Sequence, residues 1–354
     1  MKILVIGKYY PDSFASHIFD TLEKLDHHVY KFEIPNLTKL ITSKFFILRF
    51  TAKLLSFFEK GFDSIYYLRK LKFRKLNNLT IKYNFDLIIV TYDYFWPVEI
   101  SNIKLNTNSK VVMWFPDAIS NLGNAFFMVS DYDALFFKDP FIVSTISNFI
   151  KPKVYYLPEC FNPFKHNLNN EEIDSKYICD LTTAGNQHSW RVAFFENLKG
   201  YNIKFWGLKQ PIWMPSNILS TYYQGMAVHN HDKAKAFLGA KIVINNLHFS
   251  EIWGLNARCF EAAGIGAFQL VNWRPGIEDL FVIGEEIITF DGVEDLKNKI
   301  IYWLNMPIER KNIAEKAKYR ATKEHTYEIR LNKMISCIFH DEECYKIPNI
   351  YISK

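Results

Sequence analysis

Short runs of apolar residues recur along the chain, and segments with helical spacing of apolar positions lie between most of them. The first run, KILVIG, is apolar after its lysine and ends in glycine, which is typical of a strand buried on both faces of a parallel sheet. Strands that alternate with helices predict a parallel sheet covered on both faces. Six runs predict strands in the first half of the chain: Lys2–Gly7, His27–Ile34, Phe85–Tyr92, Lys110–Phe115, Asp133–Lys138 and Lys153–Pro158.

A polar stretch, HNLNNEEIDSKY at 166–177, interrupts this rhythm, which then starts again. The restart predicts two doubly wound, Rossmann-like α/β domains at 1–165 and 178–330, joined by a linker at 166–177 and followed by a helix and tail at 331–354. Ligands bind beyond the carboxyl ends of the strands in such domains, so we expect a cleft between the two. The second half has predicted strands at Ile178–Gly185, Tyr201–Gly207, Ala240–Leu247, Ala267–Val271 and Glu285–Phe290, and predicted helices at Val293–Asn305, Ile308–Lys323 and Tyr327–His340.

Composition narrows the class of protein. A chain of 354 residues favours two domains, and a net charge of +6 suits an anionic small molecule, an anionic membrane face or nucleic acid. Five scattered cysteines without a C-x-x-C pair predict a reduced, cytoplasmic protein without structural zinc. The N-terminus does not resemble a signal peptide, and no apolar run is long enough to span a membrane, so we expect a soluble or peripheral protein.

Several common motifs are absent from the sequence. No G-x-G-x-x-G follows the glycine of the first strand, and there is no phosphate-binding P-loop and no G-x-S-x-G nucleophile elbow. No His or Asp pair has the spacing of metal ligands. We therefore expect neither a dinucleotide cofactor nor a metal.

The stretch NARCFEAAGIGAFQLVNWRPG at 256–276 carries the main candidate chemistry. It predicts a helix that begins near Gly254–Asn256 and whose small residues let it approach the sheet closely. The free N–H groups at the helix start, together with Arg258, could bind a phosphate. Glu261 lies three residues further on and could accept hydrogen bonds from the two hydroxyls of a ribose. An intrahelical ion pair between Arg258 and Glu261 is the alternative.

This stretch and the residues after it, 256–330, resemble the C-terminal part of CgeB-like (spore-maturation-protein-like) glycosyltransferases, which are related to group 1 glycosyltransferases. The resemblance rests on N-x-R-x-F-E-A, R-P-G-x-E-x-L-F, G-E-E-I, P-x-E-R and H-T-Y-x-x-R, in that order. VVMWFPD at 111–117 and DLTTAGNQHSWR at 180–191 are weaker matches. The first 80 or so residues resemble only a general N-terminal domain of this fold.

The resemblance implies a GT-B fold, in which two Rossmann-like domains face a central cleft and the C-terminal helices pack back across it. The N-terminal domain would take the acceptor, and the second would take a nucleotide-sugar donor with a UDP, GDP or dTDP moiety. It implies catalysis without a metal or other cofactor, because basic side chains and helix dipoles neutralise the leaving diphosphate. The implied donor-binding residues are Gly185, Asn186, Arg191, Asn256, Arg258 and Glu261.

In one respect the sequence departs from the broader group, where a second glutamate lies eight residues before the position of Glu261. Trp253 occupies that position here, and Glu251 is the nearest acid, which makes it a candidate catalytic residue. Asp117 follows a predicted strand and is a second catalytic candidate, as a base for the acceptor hydroxyl, or else a helix N-cap. His17 could contact the acceptor or be a surface histidine in the first turn of a helix.

The segment Lys39–Lys82 contains 11 Lys or Arg residues and two acids, interleaved with phenylalanine. Such a segment could rest on an anionic membrane, or it could form ordinary helices with phenylalanine inward and basic residues outward. No nucleic-acid-binding module accompanies the charge, so we expect no nucleic-acid partner. Membrane contact would place the protein at the inner face of the cytoplasmic membrane.

Together these features predict a glycosyltransferase that moves a sugar from a nucleotide-sugar donor to a glycan, lipid-linked or protein acceptor. A non-catalytic nucleotide- or carbohydrate-binding protein with the same fold is the alternative, and the departure at Trp253 is its main support. A basic peripheral membrane or nucleic-acid protein is a third hypothesis.

Overall fold

The computed structural model describes residues 1–34, 65–168, 171–209, 214 and 219–347. By the density of its contacts the chain divides into two compact units. The first unit comprises Met1–Phe115, Gly123–Leu135 and Phe149–Lys153, and the second comprises Pro116–Leu122, Phe136–Asn148 and Val154–Lys354. The domain ranges drawn from the sequence, with a linker at 166–177, stay a prediction.

Each of the predicted apolar runs overlaps a strand. The strands form one sheet of six with the order β2-β1-β3-β4-β5-β6 and one sheet of five with the order β11-β10-β9-β7-β8. The strands are β1 (Lys2–Gly7), β2 (His28–Glu33), β3 (Leu87–Val90), β4 (Lys110–Phe115), β5 (Ala134–Phe137), β6 (Lys153–Tyr156), β7 (Cys179–Ala184), β8 (Ile203–Trp206), β9 (Ala240–Asn245), β10 (Gln269–Asn272) and β11 (Ile288–Phe290).

Helices follow most of the strands, and those that the structure describes are numbered here in chain order. They are α1 (Phe14–Lys24), α2 (Tyr66–Lys72), α3 (Arg74–Tyr83), α4 (Pro97–Asn106), α5 (Pro140–Ile146), α6 (Ser189–Phe195), α7 (Leu219–Tyr222), α8 (Asn230–Leu238), α9 (Ala257–Ile265), α10 (Gly292–Leu304), α11 (Pro307–Glu324) and α12 (Tyr327–Phe339). Short 3₁₀ turns lie at Ile119–Asn121, Phe126–Val129, Ser175–Tyr177 and Pro275–Ile277. None of the helices in these described ranges has the length and apolar character needed to span a bilayer.

The second sheet reverses its winding direction between β7 and β9. The chain passes from β7 to β8 at one edge, then returns to add β9 on the other side of β7, and continues through β10 to β11. Both β8 and β9 pair with β7 in parallel. The carboxyl ends of β7 and β9 therefore adjoin at the switch point, which is where doubly wound sheets bind ligands.

Small residues let α9 pack closely, as its sequence predicts. A Cβ on Gly264 would lie 2.3 Å from the ring of Phe161, so any larger residue would collide with that ring. Ala262 packs in one apolar cluster with Ala234 and Ala236 of α8, and this contact sets the two helices side by side.

The C-terminal helices are tied into the second unit through Arg330, which is fully buried. Its Nε donates to the carbonyl of Pro158 at 2.9 Å, and its Nη2 donates to His325 Nδ1 at 2.8 Å. The other ring nitrogen of His325 lies 2.8 Å from the carbonyl of Leu280. These contacts give both side chains a structural role in the second unit.

The segment Lys39–Lys82 lies partly outside the described residues, which begin again at 65. In the described part, Phe73 and Leu76 are buried whereas Lys70, Arg74 and Lys75 are exposed, as in an ordinary amphipathic helix pair. Arg69 is the exception, because it is buried and donates from Nε to Glu99 Oε1 at 2.6 Å.

Candidate functional site

Arg191 lies at the switch point of the second sheet and is 2 % exposed. Its Nε donates to Asn246 Oδ1 at 3.2 Å, just after β9, and its Nη1 donates to the carbonyl of Ala184 at 3.3 Å, at the end of β7. Its Nη2 is buried without a hydrogen-bond partner among the described residues. An unsatisfied buried donor is costly, so this group is suited to receive an acceptor from a ligand.

Arg258 lies beside Arg191, in the first turn of α9. It is partly buried and donates from Nη1 to Asn245 Oδ1 at 2.9 Å. Burial lowers the pKa of Arg191, and the positive charge of Arg258 lowers it further. Burial also lowers the pKa of Arg258. In the described part of the chain neither guanidinium is ion-paired with a carboxylate. The negative charge of Glu251 nevertheless opposes the lowering of both pKa values, and that of Glu261 opposes the lowering for Arg258.

Gly185 supports both guanidinium groups. A Cβ there would lie 2.4 Å from Arg191 Nη1 and 3.1 Å from Arg258 Nη2, and the backbone φ of +133° disfavours any other residue. The carbonyl of Asn186 accepts from Arg191 Nη1 at 3.4 Å. The backbone of Gly185 is thus packed against the guanidinium groups of Arg191 and Arg258. All three residues belong to the donor-binding set predicted from the sequence.

Asn256 begins α9 as its N-cap. Its Oδ1 accepts from the backbone N–H of Cys259 at 3.2 Å, and its Nδ2 donates to Asn245 Oδ1 at 3.3 Å. The side chain therefore orients the helix start and the strand end toward each other. Asn256 Nδ2 and Arg258 Nη1 therefore donate to the same atom, Asn245 Oδ1.

Glu261 is 8 % exposed, and its carboxylate is bound by Lys233 of α8. Lys233 Nζ donates to Oε1 at 2.8 Å, and His166 Nε2 lies 3.8 Å from the same oxygen. The alternative of an Arg258–Glu261 ion pair is therefore wrong. The Arg258 guanidinium is directed to the strand end, and the packing of α8 on α9 brings Lys233 to the carboxylate instead.

Glu251 is buried, and both of its carboxylate oxygens are engaged. Lys138 Nζ donates to Oε1 at 2.5 Å, and the backbone N–H of His248 donates to Oε2 at 2.8 Å. Asp139, next to Lys138, accepts from the backbone N–H groups of Ile252 and Trp253 at 2.8 Å and 3.2 Å. Glu251 thus fixes the loop after β9, and Trp253 keeps the same loop in place through its backbone.

Glu159 is a buried carboxylate that the sequence did not single out. It is 3 % exposed, and its Oε2 has no hydrogen-bond partner among the described residues. Burial raises the pKa of Glu159 to about 8, although the nearby charge of Lys138 lowers it. No sequence signal marks Glu159 or Lys138, because each depends on the other through tertiary packing.

Asp117 accepts from the backbone N–H of Ala118 at 2.7 Å and from Asn121 Nδ2 at 2.9 Å. The 3₁₀ turn that follows has Ala118 as its cap residue, so the N-cap alternative for Asp117 is wrong by one position. Burial lowers the pKa of His188 and of His248, and the negative charge of Asp117 opposes both shifts. Asp117 is therefore close enough to two histidines of the second unit to act on them electrostatically.

His17 belongs to the first unit and is 3 % exposed. Its Nε2 lies 2.9 Å from Asp12 Oδ1, and its backbone lies in the first turn of α1, which Ser13 caps. The surface-histidine alternative is wrong, because this side chain is buried. Its acceptor-side role stays a prediction.

Comparison with known proteins finds a family that covers the stretch containing this site. Residues 188–336 match the profile of a family described as glycosyl transferase-like, and this stretch contains Arg191, Arg258 and Glu261. No curated protein matches the chain.

Solved structures resemble the fold over almost the whole chain. A glycosyltransferase from Rickettsia africae has a TM-score of 0.67 at 13 % identity, covering 96 % of this chain and 98 % of its own. A sucrose-phosphate synthase from Thermosynechococcus elongatus has a TM-score of 0.63 at 11 % identity, covering 97 % and 100 %. Anabaena Alr3699/HepE, in complex with UDP-glucose, has a TM-score of 0.62 at 10 % identity, covering 95 % and 99 %.

These similarities define the fold class. Two parallel-strand sheets with flanking helices, of the kind these glycosyltransferases share, make the chain an α/β protein of GT-B type. At these identities the structures establish the fold alone, and the similarity to the glycosyl transferase-like family covers residues 188–336.

Proposed function

We propose that the protein transfers a sugar from a nucleotide-sugar donor and that its second unit binds the donor diphosphate through Arg191 and Arg258. The observation that carries this proposal is the pair of guanidinium groups at the switch point, with a buried unpartnered Nη2 and no carboxylate partner in the described chain. A diphosphate supplies both the charge and the acceptor oxygens that such a pair requires. Gly185 allows it to approach the backbone closely.

The remaining donor contacts follow from the same geometry. Asn256 and the start of α9 lie on the phosphate side, and Glu261 lies one turn along the helix, toward the ribose. Asp117 remains the proposed catalytic carboxylate, whereas Glu251, the other catalytic candidate from the sequence, is now proposed as a positioning residue. Glu251 has both oxygens bound by Lys138 and His248, so it acts by holding the loop, while the half-buried Asp117 is the proposed base.

The acceptor is a glycan, a lipid-linked glycan or a protein, and the chemistry needs no metal because the arginines neutralise the leaving diphosphate. An anionic membrane surface is a further proposed partner of α2 and α3. Their described residues, 65–83, carry six Lys or Arg and no acid. A cytoplasmic location fits this assignment.

Release of nucleoside diphosphate from a panel of UDP-, GDP- and dTDP-sugars tests the proposal. Wild-type protein is expected to release it slowly from one sugar class, and Arg258→Met is expected to abolish release while the protein stays folded. If the protein binds a nucleotide but releases no nucleoside diphosphate whichever acceptor is added, the result would favour the alternative of a non-catalytic nucleotide-binding protein. The proposal would be refuted if the protein neither bound any of these nucleotides nor released nucleoside diphosphate from any of these sugars.

A further inference from the structure

Lys233 and Glu261 form an ion pair in which only one carboxylate oxygen is used. Lys233 Nζ donates to Oε1 at 2.8 Å, and His166 Nε2 approaches the same atom at 3.8 Å. The described residues give Oε2 no hydrogen bond, and this oxygen is not among the buried unsatisfied atoms. Oε1 is therefore held by Lys233, and Oε2 can accept hydrogen bonds from a ligand.

The surroundings make this arrangement rigid. The side chains of Lys233 and Glu261 are 12 % and 11 % exposed, so neither can turn freely into solvent. The helices that carry them pack through Ala234, Ala236 and Ala262. Lys233 therefore holds Oε1 of Glu261 in place between two packed helices.

A carboxylate offers about four lone-pair positions, and Lys233 takes one of them. The cis-diol of a ribose brings two hydroxyl donors to one carboxylate, whereas a 2′-deoxyribose brings one. A nearly buried carboxylate with open acceptor positions is better satisfied by the ribose. Arg258 lies one turn earlier on the same helix, which matches the separation between a diphosphate and the sugar attached to it.

We propose that Lys233 is a positioning residue that holds Glu261 for the 2′,3′-diol of the donor, so that the enzyme selects ribonucleoside diphosphate sugars over 2′-deoxyribonucleoside ones. The inference rests on the proposed function. It narrows the donor to the UDP or GDP class and excludes dTDP as the preferred nucleotide.

Calorimetric titration of UDP, GDP and their 2′-deoxy analogues tests the inference directly. Wild-type protein is expected to bind one ribonucleotide about tenfold to a hundredfold more tightly than its 2′-deoxy form, since the lost contact is a hydrogen bond to a charged group. Lys233→Met is expected to reduce this preference to about threefold or less, because the carboxylate loses its orientation. Lys233→Arg, which can still pair with Oε1, should keep most of it.

Lys235 provides a matched control on the same helix. It pairs with Glu171 at 2.8 Å and its side chain is 15 % exposed, so Lys235→Met removes a similar ion pair away from Glu261. This variant should retain the wild-type preference. Thermal melts establish that each variant is folded, and Lys233→Gln replaces Lys233→Met if the latter does not fold.

The outcomes separate this inference from the proposed function. If Glu261→Gln loses the ribose preference and the Lys233 variants keep it, Lys233 does not position the carboxylate, and the donor site stands. If wild-type protein turns over a donor but binds ribo- and deoxyribonucleotides equally, the inference fails alone. If no nucleotide binds and no donor is turned over, the proposed function fails and the inference with it.

Discussion

Arg191 and Arg258 both bring their guanidinium groups to Gly185, although they come from different helices. The distances from a Cβ on Gly185 would be 2.4 Å to Arg191 Nη1 and 3.1 Å to Arg258 Nη2. Two positive groups this close destabilise each other unless an anion lies between them. The pair is therefore the strongest structural sign of a phosphate-bearing ligand in the second unit.

Arg258→Lys is predicted to weaken nucleoside diphosphate binding about tenfold. The lysine keeps the charge but loses the fork that donates to two oxygens at once. Calorimetry with UDP and GDP measures this change, and uridine and guanosine serve as ligands without phosphate. Their affinity should not change.

A matched control for this variant is Arg320→Lys. Arg320 pairs with Glu286 at 3.1 Å and with Glu324 at 3.0 Å, on the surface of α11. It should bind nucleoside diphosphate as the wild type does. An equal loss of affinity for diphosphate and nucleoside in Arg258→Lys would contradict the phosphate assignment.

Glu159 predicts a pH dependence of stability. Its pKa is about 8 in the folded protein, against an ordinary value of 4.5, so between these pH values the folded state holds a proton that the unfolded state releases. Stability contributed by this carboxyl is thus complete below about pH 4.5 and falls as the pH rises to about 8.

Glu159→Gln should remove that component, because a glutamine does not titrate. In urea unfolding from pH 5 to pH 8, the stability of the variant relative to wild type should rise with pH. The slope should be at most about 1.4 kcal/mol per pH unit, the limit for one proton. Parallel curves for the two proteins would show that Glu159 is ionised in the folded state or that its pKa is not raised.

The fold was predictable because most of its parallel strands are short apolar runs. The exception is β2, HVYKFE, in which apolar and polar residues alternate. The site was predictable in part. Gly185, Arg191 and Arg258 lie near strand ends and helix starts, where sequence order fixes their place. Asn245 and Asn246 also had a signal, since they are polar residues at the end of a buried strand.

Partners that come from distant parts of the chain left no such signal. Glu261 pairs with Lys233, 28 positions earlier, and Glu251 pairs with Lys138, 113 positions earlier. Neither pair has a repeating spacing, because helix packing and sheet order determine both. The sequence therefore predicted the wrong ion-pair partner for Glu261, as an i,i+3 neighbour was the only one it could specify.

Catalysis is predicted to survive chelation. The two guanidinium groups at Gly185 supply the positive charge that a divalent cation would otherwise bring to the leaving diphosphate. Turnover of the active nucleotide sugar should be the same in EDTA and in Mg²⁺ or Mn²⁺. Loss of turnover in EDTA, with recovery on adding Mg²⁺ or Mn²⁺, would overturn this prediction.

The α2–α3 segment, residues 65–83, is predicted to bind anionic membranes. Of its six basic residues Arg69 is buried against Glu99, and the other five accompany large apolar side chains at the surface, with no acid in the segment. Basic residues attract anionic lipid, at about 1 kcal/mol each near the surface, and tyrosine and leucine can enter the interface. The exposed apolar residues are Ile65 at 50 %, Tyr66 at 46 %, Tyr67 at 76 %, Leu71 at 61 % and Ile81 at 53 %.

Sedimentation with phosphatidylcholine vesicles, with and without phosphatidylglycerol, measures this binding. The protein should sediment with the anionic vesicles and dissociate as salt rises, since exposed charges are screened within about 10 Å at 0.1 M. Lys70→Glu combined with Lys75→Glu should weaken binding at least tenfold, and Tyr67→Ala should weaken it at all salt concentrations. Leu105→Ser is the control for an apolar side chain, because Leu105 is 82 % exposed on α4, outside the segment. Equal sedimentation with neutral and anionic vesicles, or unchanged binding in the double charge reversal, would assign this surface to ordinary solvent-exposed helices.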